Sequence, residues 1–189
     1  MMKKWMVILL AIMLMLAGSA LAQELALYDF SDFTIEMEDN IVGELYEKTD
    51  GQEWFIVFPE YNEEDGFNAN VNCVWGSEYF DLNSIDAQEL ADMLAKEYKS
   101  MASGFGIACN EMQVLDTNYV TVDGVIGMTY LLFMEYDDSN MGYNMVTDLY
   151  HRTYQFSFEN RGTYTFTLSA VQLETLEKMD AMIESIRWN

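Results

Sequence analysis

Residues 67–75 have the strictest pattern in the chain, a two-residue repeat of apolar and polar side chains. One set comprises Phe67, Ala69, Val71, Cys73 and Trp75, and the other comprises Asn68, Asn70 and Asn72. Because successive side chains of a β-strand point to opposite faces, this repeat predicts a strand with one face on a hydrophobic core. The three asparagines on the other face are either a candidate surface for a ligand or partner, or a structural row beneath a helix whose amides satisfy one another.

The segments before this strand are also extended in character. After a short lead-in, Phe33–Glu38 alternates apolar and polar residues and predicts a strand. A second extended piece is expected within Ile41–Glu47. Aromatic and β-branched residues predict a strand over Trp54–Phe58, which Pro59 is expected to end before an acidic loop at Glu60–Gly66.

Residues Asp86–Ser103 have helical periodicity. The apolar residues that share one helix face are Leu90, Met93, Leu94, Tyr98 and Met101. Asp86 and Glu89 have the spacing of an N-terminal capping box, and Gly104 and Gly106 follow as stop signals.

The second half of the chain predicts antiparallel strands. Met112–Val122 leads through an Asp123-Gly124 turn, a strong hairpin signal, into Val125–Tyr136. The latter segment is apolar on both faces and is expected to be a central strand covered on both sides. Tyr143–Phe158 predicts a long strand with a bulge near Arg152.

The chain closes with a predicted strand, Tyr164–Leu168, and a predicted helix, Val171–Arg187. The inner face of that helix would carry Leu176, Met179, Ile183 and Ile186. Hairpin connections exclude a doubly wound parallel sheet and favour an α+β fold, with an antiparallel sheet packed with helices. The sequence has no internal repeat or linker, so residues 23–189 are expected to form a single domain.

The first residues have the layout of a secretory signal. Met1–Lys4 carries two lysines, Trp5–Ala17 is an apolar run, and Gly18–Ala22 is a small-residue stretch that ends in Ala-x-Ala. The apolar run is shorter than the roughly 20 residues that span a bilayer. We therefore expect cleavage after Ala22, a mature protein that begins at Gln23 without a stable membrane span, and a secreted location that is extracellular, on the cell surface or periplasmic.

The charge of the chain restricts its partners. The formal net charge is −23, and removal of Lys3 and Lys4 with the signal would make it −25 because no acid leaves with them. Binding to nucleic acid or an anionic membrane depends on Lys and Arg, so such partners are not expected. Basic partners and divalent cations are compatible with this surface, which equally fits a role in solubility alone.

Two cysteines, Cys73 and Cys109, remain after processing. An oxidising compartment would allow a disulfide between them, but the sequence does not show whether their Cα atoms come within bridging distance, so the pairing stays open. A CxxC pair or a zinc-type Cys/His cluster is absent from the sequence.

The sequence lacks the motifs of common catalytic sites. A Gly-x-Ser-x-Gly elbow, a P-loop and a His-Glu-x-x-His motif are all absent. The single histidine, His151, lies in a predicted strand beside Arg152, where a structural role is expected. Paired carboxylates of the glycosidase type occur by chance in so acidic a chain. We therefore expect no catalytic residue and no cofactor, with calcium the one exception.

Two acidic loops are weak candidates for calcium, which prefers several carboxylate, amide and carbonyl oxygens. Their candidate ligands are Glu60, Asn62 and Asp65 in the first loop, and Asp137, Asp138 and Asn140 in the second. Neither loop has the spacing of an EF-hand, and the alternative interpretation is that both are solvated loops.

Four aromatic residues have two interpretations. They are Trp54, Tyr61, Tyr79 and Phe80. If exposed, they would bind a sugar or a peptide, and if buried, they would belong to the core.

Taken together, these segments resemble the PsbP-like superfamily, which includes the extrinsic P subunit of photosystem II, the Mog nuclear-import factor and many exported bacterial domains. The resemblance rests on short patterns: Phe33-Thr34-Ile35, Asn70-Val71-Asn72, the helix near Ile85, Asp123-Gly124 before Gly127-x-Thr129-Tyr130, Thr163–Leu168 and Ile183–Arg187. It implies an α/β/α sandwich and a binding or assembly role without catalysis. The family's usual proline-containing turn after the first strand is missing here.

These observations lead to one principal hypothesis and two alternatives. The principal hypothesis is an exported, non-catalytic binding or assembly protein whose partner is a protein or peptide. The first alternative is a calcium- or cation-binding exported protein that uses the acidic loops. The second alternative is a secreted hydrolase with paired carboxylates.

The calcium alternative predicts that millimolar calcium raises the melting temperature of the processed protein by several degrees. Binding to the native state alone stabilises it by about 2.7 kcal/mol at a hundredfold excess over Kd. Thermal unfolding after chelation, with and without calcium, measures the shift, and magnesium at matched ionic strength is the control. Asp65→Asn or Asp137→Asn is expected to weaken the shift, and an equal response to both cations would contradict the prediction.

Overall fold

The computed structural model describes residues 25–38, 42–45, 52–62, 67–104, 108–137 and 146–189. The predicted signal peptide, residues 1–22, lies outside this part. The described elements are β1 (Leu25–Phe30), β2 (Phe33–Glu38), β3 (Val42–Leu45), β4 (Gln52–Asn62), β5 (Phe67–Gly76), α1 (Ala87–Gly104), β6 (Ala108–Val122), β7 (Val125–Asp137), β8 (Val146–Phe158), β9 (Gly162–Ala170), α2 (Leu173–Glu184) and β10 (Arg187–Trp188). A short 3₁₀ helix, Leu82–Ser84, precedes α1.

The strands form two antiparallel sheets. The large sheet has seven strands in the order β3-β4-β5-β9-β8-β7-β6, and the small sheet has three in the order β1-β2-β10. Hairpins join β4 to β5 and each successive pair from β6 to β9. The antiparallel α+β architecture expected from the sequence is therefore confirmed.

The two helices pack on opposite faces of the large sheet. Tyr130 and Leu132 of β7 pack against Ala91 of α1, whereas the intervening Leu131 joins the core that includes Leu176 of α2. Since neighbouring side chains in a strand point in opposite directions, these contacts define an α1 face and an α2 face of the sheet. The small sheet also packs on the α2 face, through the buried side chains of β2.

The main core lies between the α2 face and the small sheet. Phe33 of β2 contacts the rings of Tyr164 and Phe166 edge-on, with centroids 6.1 and 5.4 Å apart. Trp188 of β10 meets Phe33 and Phe156 at 5.5 and 5.2 Å. Burial of each such side chain stabilises the fold by about 1.5–3 kcal/mol, so this cluster is a major source of stability.

The local signals at α1 and at the β6–β7 hairpin are confirmed. The Glu89 amide donates to Asp86 Oδ1 at 3.0 Å, as an N-terminal cap should. In the turn, Asp123 has φ 49° and Gly124 has φ 79°, the left-handed pair that a two-residue hairpin of this kind requires.

The first half of the chain contains one strand that the sequence pattern does not predict and one expectation that is wrong. The segment before Phe33 is a strand, β1, that pairs with β2 along its whole length. The strand that Pro59 was expected to end continues to Asn62 as β4. A register shift between Val57 and Glu60 accommodates the proline, which has no N–H to donate and lies beyond the end of β3.

Two expectations about the later strands also need correction. Strand β8 pairs in unbroken register with β7 and β9, so it has no bulge near Arg152; the irregularities fall in β6 instead. Strand β7 is buried on both faces over residues 127–132, as expected, but it is second from one edge, and β9 takes the central position.

The last helix is shorter than its sequence pattern predicts. Helix α2 ends at Glu184, and Arg187–Trp188 extends beside β2 as β10. The Ser185 hydroxyl accepts the Glu36 amide at 2.8 Å and donates to the Met182 carbonyl at 2.6 Å, which ties the helix end to the small sheet. Because residues 187–188 are extended, the Trp188 side chain reaches the aromatic core. The free energy gained by burying this side chain exceeds the free energy that another helical turn would contribute.

The two cysteines do not form a disulfide. Cys73 is buried in β5 on the α2 face, and Cys109 lies near the start of β6. Three strands separate β5 from β6 in the sheet, which amounts to about 19 Å at the usual strand spacing. That distance far exceeds the separation that a disulfide bridges.

No helix in the described ranges is long and apolar enough to cross a membrane.

Gly162 provides a test of the β5–β9 contact. It has φ 81°, and a Cβ there would collide with the carbonyl oxygen of Gly76. Gly162→Ala should therefore lower the free energy of unfolding by about 2–4 kcal/mol, from left-handed strain plus the collision.

Gly124→Ala is the matched control, because Gly124 has φ 79° but open space at the Cβ position. It should cost only about 1–2 kcal/mol, the strain alone. Urea denaturation of both variants measures the difference, and equal losses would contradict the predicted collision.

Candidate functional site on the α1 face

Strands β5, β9 and β8 align their side chains in rows on the α1 face. Cross-strand pairing gives the rows Asn70–Ser169–His151, Asn72–Thr167–Thr153, Val74–Thr165–Gln155 and Gly76–Thr163–Ser157. The first two rows continue into Leu132 and Tyr130 of β7, which pack under α1. Since directly paired residues share a face, these rows form one continuous surface beside the helix.

We call this surface the polar floor. Its polar members are Asn70, Asn72, His151, Thr153, Gln155, Ser157, Thr163, Thr165, Thr167 and Ser169. None of these side chains is an acid or a lysine or arginine, although the chain as a whole is strongly acidic. The floor therefore offers hydrogen-bonding groups without charge.

Part of the polar floor is accessible and part is sealed. The buried members are Thr153, Thr163, Thr167 and Ser169. The half-buried members are Asn70, Asn72, His151, Gln155, Ser157 and Thr165. Hydroxyl pairs hold the floor together, such as Ser157 Oγ and Thr163 Oγ1 at 2.7 Å.

His151 lies at the side of the floor next to α1. Its Nδ1 is 3.3 Å from Ser169 Oγ, and its ring centroid is 6.0 Å from that of Tyr98 on α1. The Nε2 atom is buried and makes no hydrogen bond within the described part of the chain. Burial lowers the pKa of His151 to about 4, so the imidazole is neutral at neutral pH.

An exposed apolar cluster adjoins the far end of the floor. Its members are Tyr79, Phe80, Tyr119 and Ile126, with exposed fractions of 45, 44, 52 and 53 %. Ile126 precedes Gly127, which pairs with Phe156, so it neighbours Ser157 of the floor. Tyr119 pairs with Met128 and is the diagonal cross-strand neighbour of Ile126. We call these four residues the aromatic patch.

Hydrogen bonds hold the segment of the aromatic patch against the sheet. The Phe80 amide donates to Ser157 Oγ at 2.8 Å, and Thr163 Oγ1 donates to the Glu78 carbonyl at 2.8 Å. The Tyr119 hydroxyl donates to the Ile85 carbonyl at 2.9 Å. Tyr79 and Phe80 are therefore exposed on an anchored backbone.

Acidic residues border the aromatic patch. Glu78 and Asp81 flank its two aromatic residues in the chain, and both are exposed. Desolvation, followed by the negative charges of Asp81 and Glu159, raises the pKa of the Tyr79 hydroxyl. The nearby Arg161 guanidinium lies 5.2 Å from the centroid of the Phe158 ring, which packs on the α2 face.

The α2 face carries a different polar group. Arg152 forms an ion pair with Asp180 of α2, and the Tyr154 hydroxyl donates to the same carboxylate at 2.9 Å. Desolvation raises the pKa of Asp180, and the Arg152 charge opposes that shift. This group fixes α2 on the sheet. It also places Arg152 on the opposite face from His151, so these sequence neighbours do not act together.

The predicted asparagine row is partly described. Asn70 and Asn72 are half-buried members of the polar floor, paired with Ser169 and Thr167. The side chain of Asn68 lies outside the described part. A role of these residues in binding stays a prediction.

The predicted calcium ligands fall mostly outside the described part. Asp65, Asp138 and Asn140 are not described, and only the backbones of Glu60 and Asn62 are. Asp137 is half-buried at the end of β7, opposite Ala108. Within the described ranges, no three His, Cys, Asp or Glu side chains are placed to hold a metal ion.

Sequence reasoning overlooked most of the polar floor. Its signal was present as a second two-residue repeat, in which Thr163, Thr165, Thr167 and Ser169 alternate with Tyr164, Phe166 and Leu168. Such a repeat indicates a strand with one apolar and one polar face. The sequence identifies Tyr79 and Phe80 as candidate binding residues but does not decide whether they are exposed.

Comparison with known proteins supports the fold. No protein-family model matches the sequence, and no curated protein matches it. The structure is similar to the solution structure of cyanobacterial PsbP (CyanoP) from Synechocystis sp. PCC 6803, with a TM-score of 0.60, 12 % identity, and coverage of 91 % of this chain and 96 % of that one. It is also similar to the Ran-binding protein Mog1p from Saccharomyces cerevisiae, with a TM-score of 0.52, 9 % identity, and coverage of 88 % and 96 %. The chain has the PsbP-like fold.

The His151 imidazole, whose Nε2 atom is buried, predicts a pH dependence of stability. The pKa of His151 is about 4 in the folded protein, against about 6.5 for an unfolded histidine, so below neutral pH the unfolded state binds the extra proton. The His151 contribution should therefore fall by about 2 kcal/mol between about pH 7.5 and about pH 5.

The measurement is the free energy of unfolding across this range for the wild type and for His151→Gln. Carboxylates that titrate in both proteins cancel in the difference. The wild type should lose more stability than the variant as the pH falls, and parallel curves would contradict the predicted burial effect.

Proposed function

We propose that this chain, which has the PsbP-like fold, is an exported, non-catalytic binding or assembly protein that meets a protein partner with its α1 face. The observation that carries the proposal is the pairing of the aromatic patch with the uncharged polar floor on that face. Exposed aromatic residues beside hydrogen-bonding groups are the composition of protein interfaces.

The anchored backbone of the aromatic patch supports a binding role. Residues 78–85 are held to the sheet at Glu78, Phe80 and Ile85. An interface whose backbone is already ordered loses less conformational entropy when it binds.

The environment of His151 supports a role without catalysis. A Ser–His pair acts as a nucleophile and base when a substrate reaches the serine and a third group orients the imidazole. Here Ser169 is 4 % exposed, and no described carboxylate hydrogen-bonds to the His151 ring. We therefore assign the pair to the structure of the polar floor.

The identity of the partner comes from neither structural neighbour. Mog1p is a Ran-binding protein by name, and its likeness to this chain at 9 % identity concerns the fold. The signal peptide predicted for residues 1–22 instead directs the search for a partner to the cell envelope or the extracellular space.

The experiment starts from the full chain produced with its own signal in a bacterial host. Intact mass should show that the exported protein begins at Gln23. Cross-linking in an envelope extract identifies a partner, and hydrogen exchange with the purified partner should show protection in β8, β9 and residues 77–86.

Three results would overturn the proposal: an unprocessed cytoplasmic protein, protection confined to α2 and the small sheet, or a hydrolytic activity. The last is tested with chromogenic ester and glycoside substrates, and it would have to disappear in the Ser169→Ala variant or in a single carboxylate variant.

Calcium binding is a second proposal with separate support. Its support is the carboxylate and amide oxygens of the two acidic segments, which follow the strands that end at Asn62 and Asp137. Those two strand ends lie four strand spacings apart, about 19 Å, so each segment would hold a cation with its own oxygens. The calcium-dependent melting shift described above tests this proposal independently of the partner.

A further inference from the structure

We propose that the aromatic patch is the docking site for a cationic segment of the partner protein, in which an apolar side chain is flanked by lysine or arginine. The inference rests on the proposed function and adds the location of the contact and the chemistry of the partner.

The apolar half of the site follows from placement on the sheet. Tyr119 and Ile126 come from β6 and β7, and Tyr79 and Phe80 come from the anchored segment that leads from β5 towards α1. All four side chains are about half exposed, whereas other apolar residues on the same face are buried beneath α1. An apolar group on a partner would remove this surface from water.

The charged half of the site follows from its border. Glu78, Asp81 and Glu159 are exposed around Tyr79 and Phe80. Of the described basic residues, Lys96 and Lys99 lie in the later half of α1, and Arg152 pairs with Asp180 on the other face. The border therefore carries these three acids and one nearby cation, Arg161, whose guanidinium lies over the Phe158 ring. Its net charge is negative, so it would attract a positive segment and repel an acidic one.

The polar floor distinguishes this site from general charge attraction. A chain with net charge −23 attracts any cation over much of its surface. Among the described residues, the exposed aromatic side chains of the patch adjoin uncharged hydroxyl and amide groups of the polar floor, of which Gln155 and Thr165 are only half-buried. Binding there should depend on apolar contact as well as on charge.

The test uses short synthetic peptides and the processed protein. The first peptide carries leucine and tryptophan flanked by lysines, the second replaces each lysine by glutamate, and the third replaces leucine and tryptophan by serine. Fluorescence anisotropy at about 0.15 M salt measures the affinity under partial screening of surface charge. The first peptide should bind more tightly than the third, and the second should not bind.

Two double variants, each with a matched control, separate the contribution of apolar contact to peptide affinity from the contribution of charge. Tyr79→Ser with Phe80→Ser leaves the charge unchanged and should raise the Kd of the first peptide about tenfold. Its control is Leu25→Ser with Leu27→Ser, which changes residues that are 58 and 66 % exposed on β1 and should have no effect.

For charge, Glu78→Gln with Asp81→Asn should raise the Kd about threefold and reduce its salt dependence. Glu174→Gln with Glu177→Gln, on the exposed side of α2, makes the same charge change and should have little effect. If Tyr79→Ser with Phe80→Ser alters the melting temperature, Ile126→Ser is used in its place.

The outcomes are distinct. Equal weakening by the patch variants and their controls, binding of the glutamate peptide, or no binding of the lysine peptide would each overturn the inference. If the inference fails in this way while hydrogen exchange still shows a partner on the α1 face, the proposed function stands. If no partner protects that face, the proposed function fails whatever the peptides do.

Discussion

The alternation of side chains along β8 and β9 is the constraint on which the rest of the structure depends. In β9, Tyr164, Phe166 and Leu168 point into the aromatic core, and the threonines between them point to the polar floor. A slip of one residue in register would exchange the two sets and remove the core from beneath α2 and the small sheet. The unbroken pairing of both strands with their neighbours therefore fixes the core and the candidate site together.

The small sheet and α2 depend on this core in turn. Trp188 enters it from β10, and the Arg152–Asp180 pair with Tyr154 attaches α2 at its margin. The opposite face carries little of this apolar packing outside the strip beneath α1. The two faces of one sheet thus differ: one carries the main hydrophobic core, and the other carries the polar floor and the aromatic patch on a rigid scaffold.

Much of the fold could be predicted from local signals. The cap at Asp86, the turn at Asp123-Gly124 and the repeat in residues 67–75 each depend on the chemistry of a few adjacent residues, and each is confirmed. The predicted element ends were wrong where contacts between residues distant in the sequence overrode the local signals. Pro59 remained in β4 because a bulge accommodates it beyond the end of β3, and α2 stopped at Glu184 because Trp188 reaches the aromatic core.

The candidate site was less predictable than the fold. Asn70 and Asn72 were identified from their repeat, but their partners, Ser169 and Thr167, are about a hundred residues away in the chain. Tyr79 and Phe80 have the same composition whether buried or exposed, and only the hydrogen bonds from Phe80 to Ser157 and from Thr163 to Glu78 decide their position. Whether an apolar side chain is exposed depends on which residues surround it in the fold, and the linear sequence pattern does not specify those neighbours.

The sequence by itself determined the elements, the antiparallel class, the acidic surface and the signal-like start, because these depend on local periodicity and composition. The tertiary structure alone decided which faces the helices cover, how far apart Cys73 and Cys109 lie, and which polar residues gather into one floor. The reason is physical: the order of strands in a sheet and the packing of helices on it depend on the total apolar surface buried by the whole chain, and no single segment specifies that total.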